Sequence, residues 1–237
     1  MCATAVSGGC LVVVDAMRTL PITSLVLVMF CGAWVAWGAE EMAPLKLELP
    51  KALFEGTPEG VKSSNLEPSR TGSRPSLMVP KGVTNLAKGK TVTSSDALPV
   101  IGELTYATDG DKEGYDGCYF ELGPGKQWVQ INLGKSQSVF AIVLWHFHKK
   151  ARVYRDVVVQ VCDDVDFIKD VRTVFNNDHD NSSGLGVGKD KEYIETCEGK
   201  LIDAKGLKGR YVRCYSNGST AGDGVNHYIE VEVYGKE

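Results

Sequence analysis

The sequence predicts an all-β protein in which short antiparallel strands form a β-sandwich. Three observations lead to this prediction. Apolar runs of about four to eight residues recur, the runs are rich in Val, Ile and aromatic residues, and clusters of Gly and Asp separate them. This pattern extends from Asn85 to the end of the chain. We find no convincing stretch with the three-and-four spacing of apolar residues that a long amphipathic helix requires.

Residues 1–38 predict a secretory signal peptide. Arg18 precedes a mostly apolar run from Leu20 to Val35, and small residues surround a cleavage point before Ala39. Met17 is a better start for such a signal than Met1. The apolar run is short compared with the roughly 20 residues that cross a bilayer. An uncleaved single-span anchor is therefore the alternative to cleavage, and it would be the only expected contact with a membrane.

Residues 39–83 predict a flexible tether. The stretch "PKALFEGTPEGVKSSNLEPSRTGSRPSLMVPKG" is rich in Pro, Gly, Ser and charge, and it holds few large apolar residues. Such a segment buries too little apolar surface to fold alone. It can still lie along the domain, because it offers apolar contacts at Leu53, Phe54, Leu77, Met78 and Val79.

Residues 84–237 predict the folded domain. Its strand-like segments follow in this order: "KTVTSS", "QWVQINLG", "VFAIVLWHFH", "RDVVVQVCDD", "RTVFNND", "RYVRCYSNG" and "HYIEVEVYG". Cys162 and Cys214 lie inside two of these apolar patterns, which predicts that both are buried and reduced. The net charge is −4 and the positive charges are scattered, so the sequence shows no basic cluster of the kind that binds nucleic acid.

The order and spacing of these segments resemble a known family. "NLAKGKTVTSS", "ATDGD", "QWVQINLG" and "VFAIVLW" look like the opening of the galactose-binding-like fold, and more narrowly of the discoidin, or coagulation factor V/VIII type C, domain. "YRDVVVQVCDDVDF", "KGRYVRCYSNG" and "YIEVEVYGK" are similar to its later strands. The resemblance covers about residues 84–236. It implies a jelly-roll sandwich of about eight antiparallel strands, whose loops at one end bind a ligand, often a sugar. The coagulation type carries a cysteine near each end of the domain; here Asn85 and Gly235 mark those ends, and no cysteine lies near either.

The acidic stretch "ATDGDKEGYDG", residues 107–117, raises the question of a metal. It does not fit the helix–loop–helix calcium pattern, because Phe120 occupies the twelfth position counted from Asp109. The family resemblance instead implies a structural calcium at this turn. Its ligands would be the backbone oxygens of Ala107 and Thr108 and the side chains of Asp109, Asp111 and Glu230. The alternative is a solvated Asp-Gly turn without metal.

Two segments between strands supply the residue types of a sugar site. Such a site needs an aromatic ring for the apolar face of the sugar and a few directional polar groups for its hydroxyls. "WHFHKKARVYRD" and "NGSTAGDGVNHY" offer both, and the resemblance implies that these connections lie at the same end of the domain. The predicted ligand-binding residues are His146, His148, Arg152, Tyr154, Asn226 and His227. A zinc site at the first two would need a third ligand, which the sequence does not show.

No catalytic motif accompanies these residues. The long polar stretch Asn176–Tyr193 holds Ser182, Ser183 and His179, but it has no nucleophile elbow. Gly188-Lys189 lacks the Ser or Thr that would follow in a phosphate loop. Either residues 178–181 of this stretch border the ligand site, or the stretch is a surface loop between strands without a function in binding.

We therefore expect a secreted, periplasmic or cell-surface binding module without catalysis, whose partner is a glycan or another cell-surface component. Two other functions stay open at this point. One is a protein–protein or structural module of a cell-envelope assembly. The other is a lyase or hydrolase with an unrecognised site.

Overall fold

A computed structural model describes residues 40–53, 63–70 and 72–236. The predicted signal peptide lies outside the described residues, as does Phe54 of the predicted tether. Within the described ranges, no helix is long and apolar enough to cross a membrane.

The described residues form ten strands and one short 3₁₀ helix, Leu104–Thr108. All pairings between the strands are antiparallel. The strands are β1 (Met42–Pro44), β2 (Met78–Pro80), β3 (Thr84–Asn85), β4 (Thr91–Ser94), β5 (Phe120–Leu122), β6 (Lys126–His146), β7 (Val158–Cys162), β8 (Arg172–Asn176), β9 (Lys200–Asn217) and β10 (Asn226–Lys236). Eight of them form one continuous sheet in the order β3-β10-β6-β9-β7-β8, with β4 added on β6 and β5 added on β10.

Strands β6 and β9 are long enough to belong to both layers of a sandwich. They have 21 and 18 residues, and their mutual register is interrupted between Asn132 and Gln137 and again between Val139 and Ala141. Such irregularities bend a strand. The first half of β6 pairs with β4, whereas its second half pairs with β10. The sheet therefore folds onto itself, and the predicted antiparallel β-sandwich is confirmed.

The main core lies between the two layers and is built from alternate residues of the strands, as the period of two requires. Val129, Ile131, Ile142 and Leu144 of β6 belong to it. Cys162 and Cys214 are both fully buried, as predicted, and the four cysteines in the described part of the chain are free.

A second apolar cluster lies on the outer face of the layer that contains β10. We use the name strap for the described residues between 40 and 83, which fall in the same compact unit as the sandwich. The strap packs Leu45, Leu47 and Leu77 against this cluster, whose members are Ala141, Val143, Trp145, Ile229 and Tyr234. Of the residues predicted to contact the domain, Val79 is buried, whereas Met78 is 51% exposed. The strap thus covers an apolar face that would otherwise meet water.

Candidate functional site

The candidate ligand-binding surface lies where β5, the end of β6 and the start of β10 meet. The rings of Tyr119 and Phe147 contact edge to face with centroids 5.0 Å apart. The His227 ring lies 5.2 Å from the first and 5.7 Å from the second. The guanidinium of Arg152 packs 4.6 Å above the Phe147 ring. We call these four residues, together with Glu121, the rim cluster.

His227 links the interior of the domain to Glu121. Its Nδ1 lies 3.0 Å from the Tyr154 hydroxyl, and its Nε2 lies 2.9 Å from Glu121 Oε2. Burial, followed by the charge of Arg152, lowers the pKa of His227 to about 4. The imidazole is therefore neutral at pH 7, so that Nδ1 accepts a hydrogen bond from the Tyr154 hydroxyl and Nε2 donates one to Glu121. This arrangement fixes the direction of the Glu121 carboxylate at the rim.

Arg152 is the charged group of the rim cluster with hydrogen-bonding capacity to spare. Only 9% of its surface is exposed, and its Nε is buried without a partner. No carboxylate in the described part of the chain lies within 4.0 Å of its guanidinium. A nearly buried cation without an acidic partner is costly. The guanidinium also hydrogen-bonds the Tyr154 hydroxyl, and its remaining donors can serve a ligand that accepts hydrogen bonds.

His146 and Asn226, both predicted to bind ligand, lie in the interior and are held by the protein itself. His146 Nδ1 is 2.7 Å from Glu195 Oε1, and its ring stacks on Tyr154 at 4.3 Å. The Asn226 amide donates to the carbonyls of Gly123 and Gly125, and its oxygen accepts from Ser216 and Gly218. Both side chains are 0% exposed. They support the neighbouring loops and line no surface.

His148 and Tyr154 are also buried, with exposures of 1% each. His148 Nε2 lies 3.0 Å from the carbonyl oxygen of Lys112. The structure therefore brings Arg152, Tyr154 and His227 together around the rim cluster, while His148 is directed at the acidic stretch. His146 and His148 do not share a ligand surface.

Three members of the rim cluster, Tyr119, Glu121 and Phe147, were not among the predicted site residues. Glu121 reaches the site because it pairs in register with His227 of β10. That register depends on which strands become neighbours, and the sequence pattern does not give it. The alternation of side chains along "WHFH" could have indicated Phe147, since it faces away from the two histidines.

The acidic turn predicted to bind calcium combines satisfied and unsatisfied groups. Asp109 Oδ1 accepts the Asp111 N–H at 2.7 Å, and the Thr108 carbonyl accepts the Gly89 N–H at 2.7 Å. Glu230 is fully buried beside them, and its Oε2 accepts the Gly110 N–H at 3.2 Å. Its Oε1 is buried and has no partner. Burial raises the pKa of Glu230 to about 9.

A different group of carboxylates converges elsewhere in the described part of the chain. Asp156, Asp178 and Asp180 have oxygens within 4.8 Å of one another. Asp178 accepts hydrogen bonds from the backbone of Ser182 and Ser183 and from the Ser183 hydroxyl. Asp156 accepts from the Ser182 hydroxyl and from the Asn217 amide. Through these hydrogen bonds, Ser182 and Ser183 stabilise the backbone turn of the polar loop to which they belong.

Searches against protein families and curated proteins find no match to this chain. Solved structures similar to it include chitosan-binding module 1 of a chitosanase/glucanase from Paenibacillus sp. IK-5, with 24% identity over 64% of this chain and 99% of that chain and a TM-score of 0.44. A Streptococcus pneumoniae fucose-binding module has 19% identity over 65% and 99% of the two chains, with a TM-score of 0.44. The CBM32 of AlyQ, in complex with 4,5-unsaturated mannuronic acid, has 13% identity over 60% and 92%, with a TM-score of 0.44. These likenesses concern the fold alone.

Proposed function

We propose that this chain is an exported, non-catalytic carbohydrate-binding module whose rim cluster binds the sugar. The observation that carries the proposal is Arg152, a nearly buried guanidinium that stacks on Phe147 and has no carboxylate partner in the described part of the chain. The family resemblance of the sequence supports the same function. Export is proposed on the predicted signal peptide, which lies outside the described residues.

The chemistry of the rim cluster matches what a sugar offers. Tyr119, which is partly exposed, supplies aromatic surface for the apolar face of a pyranose ring, and Phe147, which is 7% exposed and covered by Arg152, supports it from below. Arg152 supplies donors for hydroxyl oxygens, and Glu121, oriented by His227, supplies an acceptor for hydroxyl protons. A few directional polar groups beside aromatic side chains are typical of small-ligand sites.

We further propose that the acidic turn binds one calcium ion. The supporting observation is Glu230 Oε1, a fully buried carboxylate oxygen without a hydrogen-bond partner, which lies beside a turn rich in further oxygen donors. Calcium prefers six to eight oxygen ligands, and carboxylates and carbonyls serve equally. Asp109, Asp111, Glu230 and the carbonyls of Ala107 and Thr108 would hold it. When bound, the ion would neutralise the buried carboxylate and stabilise the turn.

Two measurements test the sugar function: calorimetry with D-galactose, L-fucose and D-glucosamine, and binding to a glycan array. We expect the full chain to bind at least one of these probes, and Arg152→Ala to weaken that binding at least tenfold. Arg155→Ala is the matched control, since Arg155 is an exposed arginine three residues further on, and it should bind as the wild type does.

Equal affinity of the Arg152→Ala variant and the wild type would remove the rim cluster from the binding site. A folded protein that binds no glycan would instead favour a protein–protein module. The apolar residues Leu98 and Val100, which are 82% and 62% exposed, would then become the contact surface to examine. They border the rim cluster, because the Val100 N–H donates to the Glu121 carbonyl at 2.7 Å.

A further inference from the structure

We propose that His148 is a positioning residue that couples the acidic turn to the rim cluster, so that calcium and sugar bind cooperatively. This inference rests on the proposed sugar and calcium binding of the previous section. It adds a direct link between the two sites, whereas the family resemblance implies only a structural role for the ion.

The link begins with the segment that joins the two sites. We call residues 112–118 the connector. Its first residue, Lys112, is tied to β10 by an ion pair with Glu232, in which Nζ and Oε1 are 2.9 Å apart. Asp111 comes immediately before it, and two residues before it the Gly110 N–H donates to Glu230. Immediately after the connector comes Tyr119 of the rim cluster. The connector therefore has a proposed metal ligand at one end and a ligand-binding ring at the other.

His148 contacts the first half of the connector, at Lys112 and Gly114. It is 1% exposed, and its Nε2 donates to the Lys112 carbonyl at 3.0 Å. Gly114 packs directly against its ring. A Cβ added at Gly114 would lie 2.9 Å from His148 Cε1 and 2.8 Å from Leu53 Cδ1, closer than side-chain carbons approach. The connector is thus clamped between the strap and His148, with no space for a larger residue.

His148 also belongs to the ligand site through its neighbour. Phe147 precedes it in the chain, contacts Tyr119 edge to face and carries the stacked guanidinium of Arg152. Two rings of the rim cluster are therefore adjacent to the link: Tyr119 directly follows the connector, and Phe147 directly precedes His148, which contacts the connector. A shift of the connector would move Tyr119 directly and Phe147 through His148.

The connector depends on these contacts for its order, because residues 111–118 belong to no strand or helix. Without the ion, the turn is tied to Glu230 by the Gly110 N–H, and the other carboxyl oxygen of Glu230 has no partner in the described part of the chain. Calcium would hold the turn and, through Lys112 and His148, the two rings. A ligand that binds to an already ordered surface loses less conformational entropy, so each ligand raises the affinity for the other.

The first test needs no sugar. Amide hydrogen exchange of the full chain is compared in chelator and in calcium chloride. We expect calcium to slow exchange at least tenfold at Gly110, in the connector and at residues 119 and 147–149. In His148→Ala the slowing should persist at Gly110 and disappear at residues 119 and 147–149. His148→Gln should restore it, because its amide can also donate to the Lys112 carbonyl. Exchange that does not respond to calcium, or that responds identically in His148→Ala, overturns the proposal.

The second test measures, with and without calcium, the affinity for whichever of galactose, fucose and glucosamine binds most tightly. We expect about five- to tenfold tighter sugar binding with calcium, and an equal tightening of calcium binding by the sugar. His148→Ala should reduce this factor below about twofold, whereas His179→Ala, a histidine of the polar loop, should keep it. Sugar binding of equal strength with and without calcium overturns the coupling. Absence of sugar binding in both conditions refutes the proposed function, and hydrogen exchange alone then decides on His148.

Discussion

The acidic turn around Glu230 and the carboxylate group of Asp156, Asp178 and Asp180 differ in how their oxygens are used. In the second group the carboxylates lie within 4.8 Å of one another, yet hydroxyls, amides and backbone N–H groups of the same chain occupy them. In the turn, a fully buried oxygen of Glu230 has no partner. Our calcium proposal therefore follows the oxygen that the chain itself leaves unsatisfied, and not the proximity of three carboxylates.

The pKa shifts of the two regions run in opposite directions, because hydrogen bonds stabilise the charged carboxylate in one region and burial disfavours it in the other. Hydrogen bonds from Ser182 lower the pKa of Asp180, which stabilises its charge without any ion. Burial raises the pKa of Glu230 to about 9, and the charges of Glu232 and Asp109 add to the effect. The ionised form of Glu230 is thus the one that requires a cation.

The largest effect is expected from Asp178→Ala. The change leaves the backbone N–H and the hydroxyl of buried Ser183 without their acceptor, whereas the Ser182 N–H keeps Asp180 as its partner. We expect a loss of about 3 kcal/mol in the free energy of unfolding, or roughly 6–12 °C in melting temperature. The loss should be equal in calcium and in chelator. A loss that calcium reverses would contradict the structural role given to this cluster.

The next effect concerns calcium and the turn. An ion that binds the folded chain alone adds about 2.7 kcal/mol when it is a hundredfold above its dissociation constant. Chelator should accordingly lower the melting temperature of the wild type by roughly 5–11 °C. Asp109→Ala should lower it similarly in calcium and remove the response to chelator. Identical melting curves with and without chelator, for protein shown to be metal-free at the start, would leave a solvated Asp-Gly turn.

The sequence predicted the sandwich because strand periodicity and turn residues are local signals. It also offered Arg152, Tyr154 and His227 as candidates, which the structure brings together at the rim cluster, because aromatic and polar residues in a connection between strands can be read from the sequence. It did not indicate Glu121, which meets His227 only through the pairing of β5 with β10. Nor did it show that His146 points into the interior, where Glu195 holds it. Which strands are neighbours, and which face a residue takes at a strand end, follow from packing.

The predicted tether also shows that packing cannot be read from the sequence. Its composition is that of a segment unable to fold alone, and its described apolar residues pack against a cluster that belongs to the sandwich. The sheet beneath holds this segment through Leu45 and Leu47 and through the ion pair of Arg70 with Glu198. Composition alone does not show that the outer face around Trp145 needs a cover.

A smaller effect is expected from pH in metal-free protein. Because the pKa of Glu230 is raised from its ordinary value of 4.5 to about 9, its protonated form favours folding. That stabilisation is complete below pH 4.5 and is lost as pH rises toward 9. We expect the free energy of unfolding in chelator to fall by on the order of 1 kcal/mol per pH unit between pH 6 and 8. Urea denaturation at each pH measures it. Glu230→Gln should flatten the dependence, and an unchanged slope in that variant would assign it to another group.

The smallest effect is expected from Asp180→Asn, and it decides between the two regions. Asp180 is exposed, and its partner Ser182 can still donate to the amide oxygen of the new side chain. The melting temperature should therefore change by no more than about 1 °C, since surface substitutions of this kind are nearly neutral. Terbium, which replaces calcium in oxygen sites and luminesces when bound near aromatic rings, gives the sharper measurement. Asp109→Asn should reduce terbium affinity at least tenfold, whereas Asp180→Asn should leave it within twofold of the wild type. The reverse result would place the cation among Asp156, Asp178 and Asp180, and an unpartnered buried oxygen would then be a poorer guide to a metal than the convergence of three carboxylates.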